Sequence, residues 1–126
     1  SSEVILERFE KLRISPEEFG HLEHLRLAYE MLDKYSFLDA TYRYASTIKA
    51  MARQAGAPEK YNTTITFAFM GLVAERRRVA KSENFDEFLQ ASPELQQHEL
   101  LGSWYSDARL YSELARSIFV LPDKVV

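Results

Sequence analysis

The sequence predicts an all-α protein: a compact single-domain bundle of about five to seven helices around a buried central helix at about residues 62–80. Three observations carry this. No alternation of apolar and polar residues lasts long enough to compete with the helical pattern that runs through most of the chain. Glycine and proline number only four each, and several fall where one helical pattern stops and the next begins. The segment after Tyr61 is apolar on every side, as a helix enclosed by other helices is.

A first helix is expected over Val4–Leu12. Ser15-Pro16-Glu17-Glu18 then supplies an N-cap, a proline at the first helical position and a glutamate three residues after the serine, which opens a helix over Pro16–Lys34. Its charges Glu23, Arg26, Glu30 and Asp33 recur at helical steps and mark the solvent stripe. At roughly 100° per residue, the opposite face centres on His21, Ala28, Leu32 and Tyr35, with His24, Leu25 and Met31 beside them. Ser36-Phe37-Leu38-Asp39 caps a third helix whose inner stripe is Phe37, Ala40, Tyr44, Ile48 and Met51. That helix reads as structural, offering inside only the hydroxyls of Thr41 and Tyr44, and Gly56-Ala57-Pro58 ends it. The central helix follows over Asn62–Ala80. Asn84-Phe85-Asp86-Glu87 caps a short fifth helix, and Ser92-Pro93-Glu94 starts a sixth that ends near Gly102. A last helix is expected over Ser106–Phe119, with Leu110, Tyr111, Leu114, Ala115 and Ile118 inward. No linker or repeat divides the chain, so residues 1–126 read as one domain.

At 126 residues, 46% hydrophobic and 28% charged, the chain has the balance of a globular domain with a sizeable core. A net charge of −3 leaves no footprint for nucleic acid, and Arg76-Arg77-Arg78 reads as a helix C-terminus met by cations. The absence of cysteine excludes disulfides, zinc–thiolate and iron–sulfur sites and thiol nucleophiles, and it fits a reducing compartment. The longest charge-free stretch, Tyr61–Ala74, falls short of the roughly 20 residues of a membrane span. No signal peptide is visible, and the chain starts at Ser1. A cytoplasmic protein is expected, with a small-molecule ligand as its partner and a homo-oligomer left open. Neither nucleic acid nor membrane is expected as a partner.

His21 and His24 are the main chemical signal. An imidazole facing the core needs hydrogen-bond partners, because an unsatisfied buried polar group costs about 1–3 kcal/mol. Two of them one helical step apart have three readings: satisfied core residues, an acid/base pair in a metal-free pocket, or ligands of a metal ion. Glu23 falls on the solvent stripe and is not expected as a third ligand, and His98 lies in the polar run Gln96–Glu99. The second signal is Lys60-Tyr61-Asn62-Thr63-Thr64-Ile65-Thr66. Its Asn and Thr side chains suit a helix cap, and Lys60 with the first helical amides suits a carboxylate or phosphate. The third is Trp104-Tyr105-Ser106 with Arg109, Glu113 and Arg116, which reads as a surface ladder in which Arg116 also pairs with Asp123.

These three places carry a resemblance. His21-Leu22-Glu23-His24-Leu25-Arg26-Leu27-Ala28 is similar to the opening His-x-x-His-Leu-Arg-x-Ala motif of a small, largely uncharacterised bacterial all-helical family. Lys60–Thr66 resembles that family's Lys-Tyr-His-x-Thr-Ile-Thr motif, and Tyr105-Ser106, Ala115-Arg116 and Phe119–Asp123 resemble its C-terminal pattern. The resemblance implies that the motifs converge, with His21, His24, Lys60, Tyr61, Thr64, Thr66, Tyr105 and Arg116 at the matching positions. Asn62 departs from it by standing where the motif has histidine. An amide oxygen is a poorer donor to zinc, copper or iron than an imidazole nitrogen, so the departure weighs against a metal site.

The expected protein is therefore a small-molecule enzyme or ligand-binding protein of specialised metabolism. His21 and His24 are the candidate catalytic residues, performing acid/base chemistry on a carboxylate- or phosphate-bearing substrate. Lys60, Tyr61, Asn62, Thr64, Thr66, Tyr105 and Arg116 are the candidate ligand-binding residues. The cofactor is unknown and no metal is assigned, His21 and His24 being the alternative ligands. The competing expectation is a helical interaction module with a structural histidine pair and a groove beside Trp104, Tyr105 and Arg109.

Overall fold

Side-chain caps set most of the helix boundaries. In a computed structural model, which describes residues 6–9, 20–97 and 99–124, every regular element among those residues is helical. The longer helices are α1 (His21–Lys34), α2 (Phe37–Gln54), α3 (Thr63–Ala80) and α4 (Phe85–Ala91), followed by the short α5 (Asp107–Leu110) and α6 (Glu113–Ser117). Ser36, Asn62, Asn84, Ser106 and Ser112 each place a side-chain oxygen on the amide three residues on, which satisfies one of the donors a helix start leaves open. Gly56, at φ 76°, turns the chain after α2, and Lys81, at φ 50°, closes α3 in the left-handed conformation. No helix among the described residues is long and apolar enough to cross a membrane.

Four expectations need correction. The histidine helix starts at His21 and not at Pro16. Gly20 is its extended N-cap, and Glu23 reaches back to accept the Gly20 N–H at 2.8 Å. The expected cap at Ser15–Glu18 lies outside the described residues, as does His98; of the expected first helix, residues 6–9 are described and helical. The expected sixth helix is two 3-10 turns, Pro93–Gln96 and Leu100–Ser103. Leu95 and Leu101 belong to different hydrophobic clusters, and the chain crosses from one to the other between them. The expected last helix breaks at Tyr111–Ser112. There the Ser112 hydroxyl restarts the helix as a cap, and the Leu110 carbonyl accepts from the Asn62 side chain at 2.8 Å. Tyr111, Leu114 and Ile118 consequently lie exposed, and so does Phe37 at the first position of α2.

The larger core is built from α1 to α4 and closes over Phe9, Leu25, Leu27, Met31, Met70, Val73, Phe88 and Leu95. Tyr29, Phe85 and Phe88 form an aromatic trio within it, with centroids 5.0–6.4 Å apart. A smaller core gathers Leu101, Tyr105, Leu110, Ala115 and Val120 against Ile65 and Ala68 of α3. α3 thus serves both clusters, packing on α1, α2, α4, α6 and the Leu100–Ser103 turn. Its enclosure is incomplete, since Phe67 and Val79 reach solvent. Two members of the basic run at its end pair within the chain: Arg76 with Glu94 at 3.2 Å, and Arg77 with Asp33 at 2.9 Å while lying over the Tyr29 ring.

The C-terminal segment runs extended across the smaller core. The Tyr105 hydroxyl donates to the Val120 carbonyl at 2.7 Å. Thr64 Oγ1 donates to the Ile118 carbonyl and accepts the Val120 N–H, at 2.8 and 3.0 Å. Arg109 Nε donates to the Leu121 carbonyl, and Asp123 accepts both the N–H and the hydroxyl of Ser106. Those two bonds hold the Asp123 carboxyl below its ordinary pKa.

Candidate functional site

Where the two cores meet beside the first turns of α3, packing leaves a cavity of about 410 Å3. α1 contributes His21 and His24, α2 contributes Tyr44 and Ile48, and α3 with its approach contributes Lys60, Tyr61, Asn62, Ile65, Thr66 and Phe69. The remaining wall is Glu99, Leu100, Leu101, Gly102, Asp107, Leu110 and Tyr111. A cavity of this size, mainly apolar with a few convergent polar groups, matches the usual form of a small-molecule site.

The histidines reach it because helical phase sets them one step apart on the inward side of α1. They are held differently. His21 Nε2 lies 2.7 Å from the Leu95 carbonyl oxygen, which only accepts, so Nε2 carries the proton and donates. A neutral His21 ring therefore has its lone pair on Nδ1. His24 Nδ1 lies 2.7 Å from the Tyr44 hydroxyl, and the two rings meet edge-on. Burial, reinforced by the neighbouring His21 and opposed by Glu23, lowers the His24 pKa from 6.5 to about 4. Burial also raises the Tyr44 phenol well above its ordinary value. His24 and Tyr44 are thus a neutral pair at neutral pH. Phe69 packs beside both His21 and Tyr44, with centroids at 6.5 and 6.1 Å, and forms the apolar wall between them.

Six of the nine expected site residues line this cavity: His21, His24, Lys60, Tyr61, Asn62 and Thr66. Thr64, Tyr105 and Arg116 do not. Thr64 and Tyr105 fasten the C-terminal segment, as described above. Arg116 pairs with Glu113 and reaches the Glu59 carbonyl, not Asp123. Asn62 and Thr66 face the cavity with their polar atoms already engaged. Asn62 Oδ1 accepts the Ile65 N–H while its Nδ2 donates to the Leu110 carbonyl, and Thr66 Oγ1 donates to the Asn62 carbonyl. At the start of α3 the Asn62 cap takes the Ile65 N–H, and neither Thr63 nor Thr64 lines the cavity.

Sequence reasoning missed Tyr44, Phe69, Glu99 and Asp107. Tyr44 had a signal, a hydroxyl on the inner stripe of α2, but its partner lies on another helix. Glu99 and Asp107 had none, because the 3-10 turns and the break after α5 decide where they fall. The groove expected beside Trp104, Tyr105 and Arg109 is filled by the chain's own C-terminal segment, with Tyr105 buried and the Lys124 N–H on the Trp104 carbonyl. Among the described residues, no group of three or more His, Asp or Glu is placed to hold a metal ion. Comparison of the chain with protein-family models, with curated proteins and with solved structures finds no match.

Proposed function

We propose that this protein binds a small, largely apolar organic molecule in the cavity between its two cores. The observation that carries the reading is the convergence of His21, His24 and Tyr44 from α1 and α2 with Lys60, Tyr61, Asn62, Ile65 and Thr66 on one cavity. Two of the three motifs behind the family resemblance meet there, and the third braces the wall they lean on. Within this reading, the neutral His24–Tyr44 pair recognises an uncharged polar group, because an ion would go uncompensated beside it. Ile65, Phe69, Leu101 and Leu110 enclose the apolar body, and Lys60 meets a carboxylate or phosphate at the mouth.

An enzymatic role adds one step. In it His21, whose Nε2–H is held by the Leu95 carbonyl and which lines the cavity, is the residue that exchanges a proton with the bound ligand. Histidine resonances test the binding on which both readings depend. In a fragment screen followed by NMR, ligands should perturb the ring signals of His21 and His24. Gly102 lines the cavity, and a Cβ there meets nothing within 4 Å, so the backbone accepts a side chain at this position and Gly102→Phe is the variant chosen to obstruct the space. Binding should be lost in that variant. Fragments that bind it as well as they bind the parent, or a screen that never moves the histidine signals, would refute the cavity as the site.

A further inference from the structure

The cavity is graded from its closed end to its mouth. Tyr44 is 2% exposed and His24 half-buried, whereas Lys60, Glu99 and Asp107 are exposed. Between them lie Ile48, Tyr61, Ile65, Phe69 and Leu110. The three charged residues come from three different elements and carry both signs. Among the described residues, none of them forms an ion pair within 4.0 Å. Lys49, outside the lining, places its Nζ 5.8 Å from the centre of the Tyr61 ring.

From this grading we infer that the ligand is an aromatic amino acid, or a close relative, whose ring carries a hydroxyl group. The inference rests on the small-molecule reading above. The ring hydroxyl meets the Tyr44 oxygen, which has one proton and two lone pairs and so can bond a second partner besides His24. A neutral group is required there because the pair is uncharged. The ring lies among Ile65, Phe69 and Tyr61, where aromatic faces and branched aliphatic side chains suit a flat apolar body. At the mouth, the α-carboxylate meets Lys60 and the α-ammonium meets Glu99 and Asp107. A zwitterion is the one charge type that suits both signs at once. A simple anion would leave the two carboxylates unmatched, and a simple amine would leave Lys60 unmatched.

Calorimetric titration of the intact chain tests this with L-tyrosine, tyramine, 3-(4-hydroxyphenyl)propanoate, L-phenylalanine and p-cresol. L-Tyrosine should bind tightest. Loss of either charge should weaken binding roughly threefold to fivefold, as exposed ion pairs do. Loss of the ring hydroxyl should cost roughly fivefold, the worth of one hydrogen bond. Lys60→Gln should weaken L-tyrosine and the propanoate but not tyramine. Asp107→Asn with Glu99→Gln should weaken L-tyrosine and tyramine but not the propanoate. Equal affinity for p-cresol and L-tyrosine, or loss of all ligands alike in the charge variants, would overturn the inference and leave the cavity reading standing. No binding by L-tyrosine would overturn it too, while the fragment screen with Gly102→Phe decides the cavity reading separately.

Discussion

Acid should unfold this protein partly through one side chain, His24. Its imidazole titrates at 6.5 in an unfolded chain and at about 4 in the folded one. The unfolded state therefore binds the proton more tightly. Above 6.5 neither state is protonated and stability does not depend on this group. Between 6.5 and 4 only the unfolded state takes up the proton, so stability falls as pH falls, by up to about 1.4 kcal/mol per pH unit. Below 4 both states are protonated and the loss levels off. Across the window the loss is roughly 3 kcal/mol, a large share of the 5–15 kcal/mol typical of a whole domain. His24→Gln removes the titrating ring and leaves a group that can still meet the Tyr44 hydroxyl. Between pH 7 and 4.5 the loss is about 2.4 kcal/mol, so urea unfolding followed by circular dichroism should give the parent a midpoint that drops by about 1.6 M more than that of His24→Gln, at a slope near 1.5 kcal/mol per molar. Subtracting the variant's profile removes the carboxylates, which titrate in both proteins. Parallel profiles for the two proteins, or a His24 ring signal that titrates near 6.5, would refute the burial and the Tyr44 contact on which the reasoning stands.

Two further substitutions test the wall of the site. Asn62→Ala deletes a buried cap and the Leu110 bond together, and it should cost about 2–3 kcal/mol in urea unfolding while leaving the helical spectrum in place. An unchanged midpoint would mean that the amide is not the clamp between α3 and α5. Thr64→Val keeps the shape but removes the hydroxyl that ties Ile118 and Val120 to α3. Amide exchange at residues 118–124 should then quicken at least tenfold, while exchange in α1 and α2 stays as it was. Equal acceleration throughout would show a global loss and not a released segment.

The parts of the fold that could be read from sequence are those fixed by local chemistry. Asn62, Asn84 and Ser36 each cap the helix they precede, because a side-chain oxygen and an amide three residues on need no help from the rest of the protein. The charge stripe of α1 is similarly local, and it correctly set Leu25, Ala28 and Met31 inward. Helical phase extrapolates poorly where two cores compete for the chain. Over 106–119 an unbroken helix fits the apolar spacing, yet Asn62 draws on the Leu110 carbonyl and Ser112 restarts the helix. Both partners look ordinary in sequence, and only their distance in space makes them decisive.

The same distinction separates the legible half of the site from the rest. His21 and His24 show themselves because one helix carries both, and Lys60–Thr66 because it is one continuous run. Tyr44 does not, although it is the hydrogen-bond partner of His24 Nδ1, because a tyrosine on an inner stripe is by itself ordinary core. Asn62 has the opposite history. In sequence it looks like a ligand exchanged for a weaker donor, whereas in the fold both ends of its amide are engaged with backbone, 2.9 Å from the Ile65 nitrogen and 2.8 Å from the Leu110 oxygen. A histidine at that position would offer one ring nitrogen where asparagine offers two polar atoms, since its other atom at that distance from Cβ is a C–H. Either the cap on α3 or the bond to Leu110 would be lost. In this chain position 62 holds the wall of the cavity together, and the proposed contacts to a ligand's uncharged end fall to His21, His24 and Tyr44.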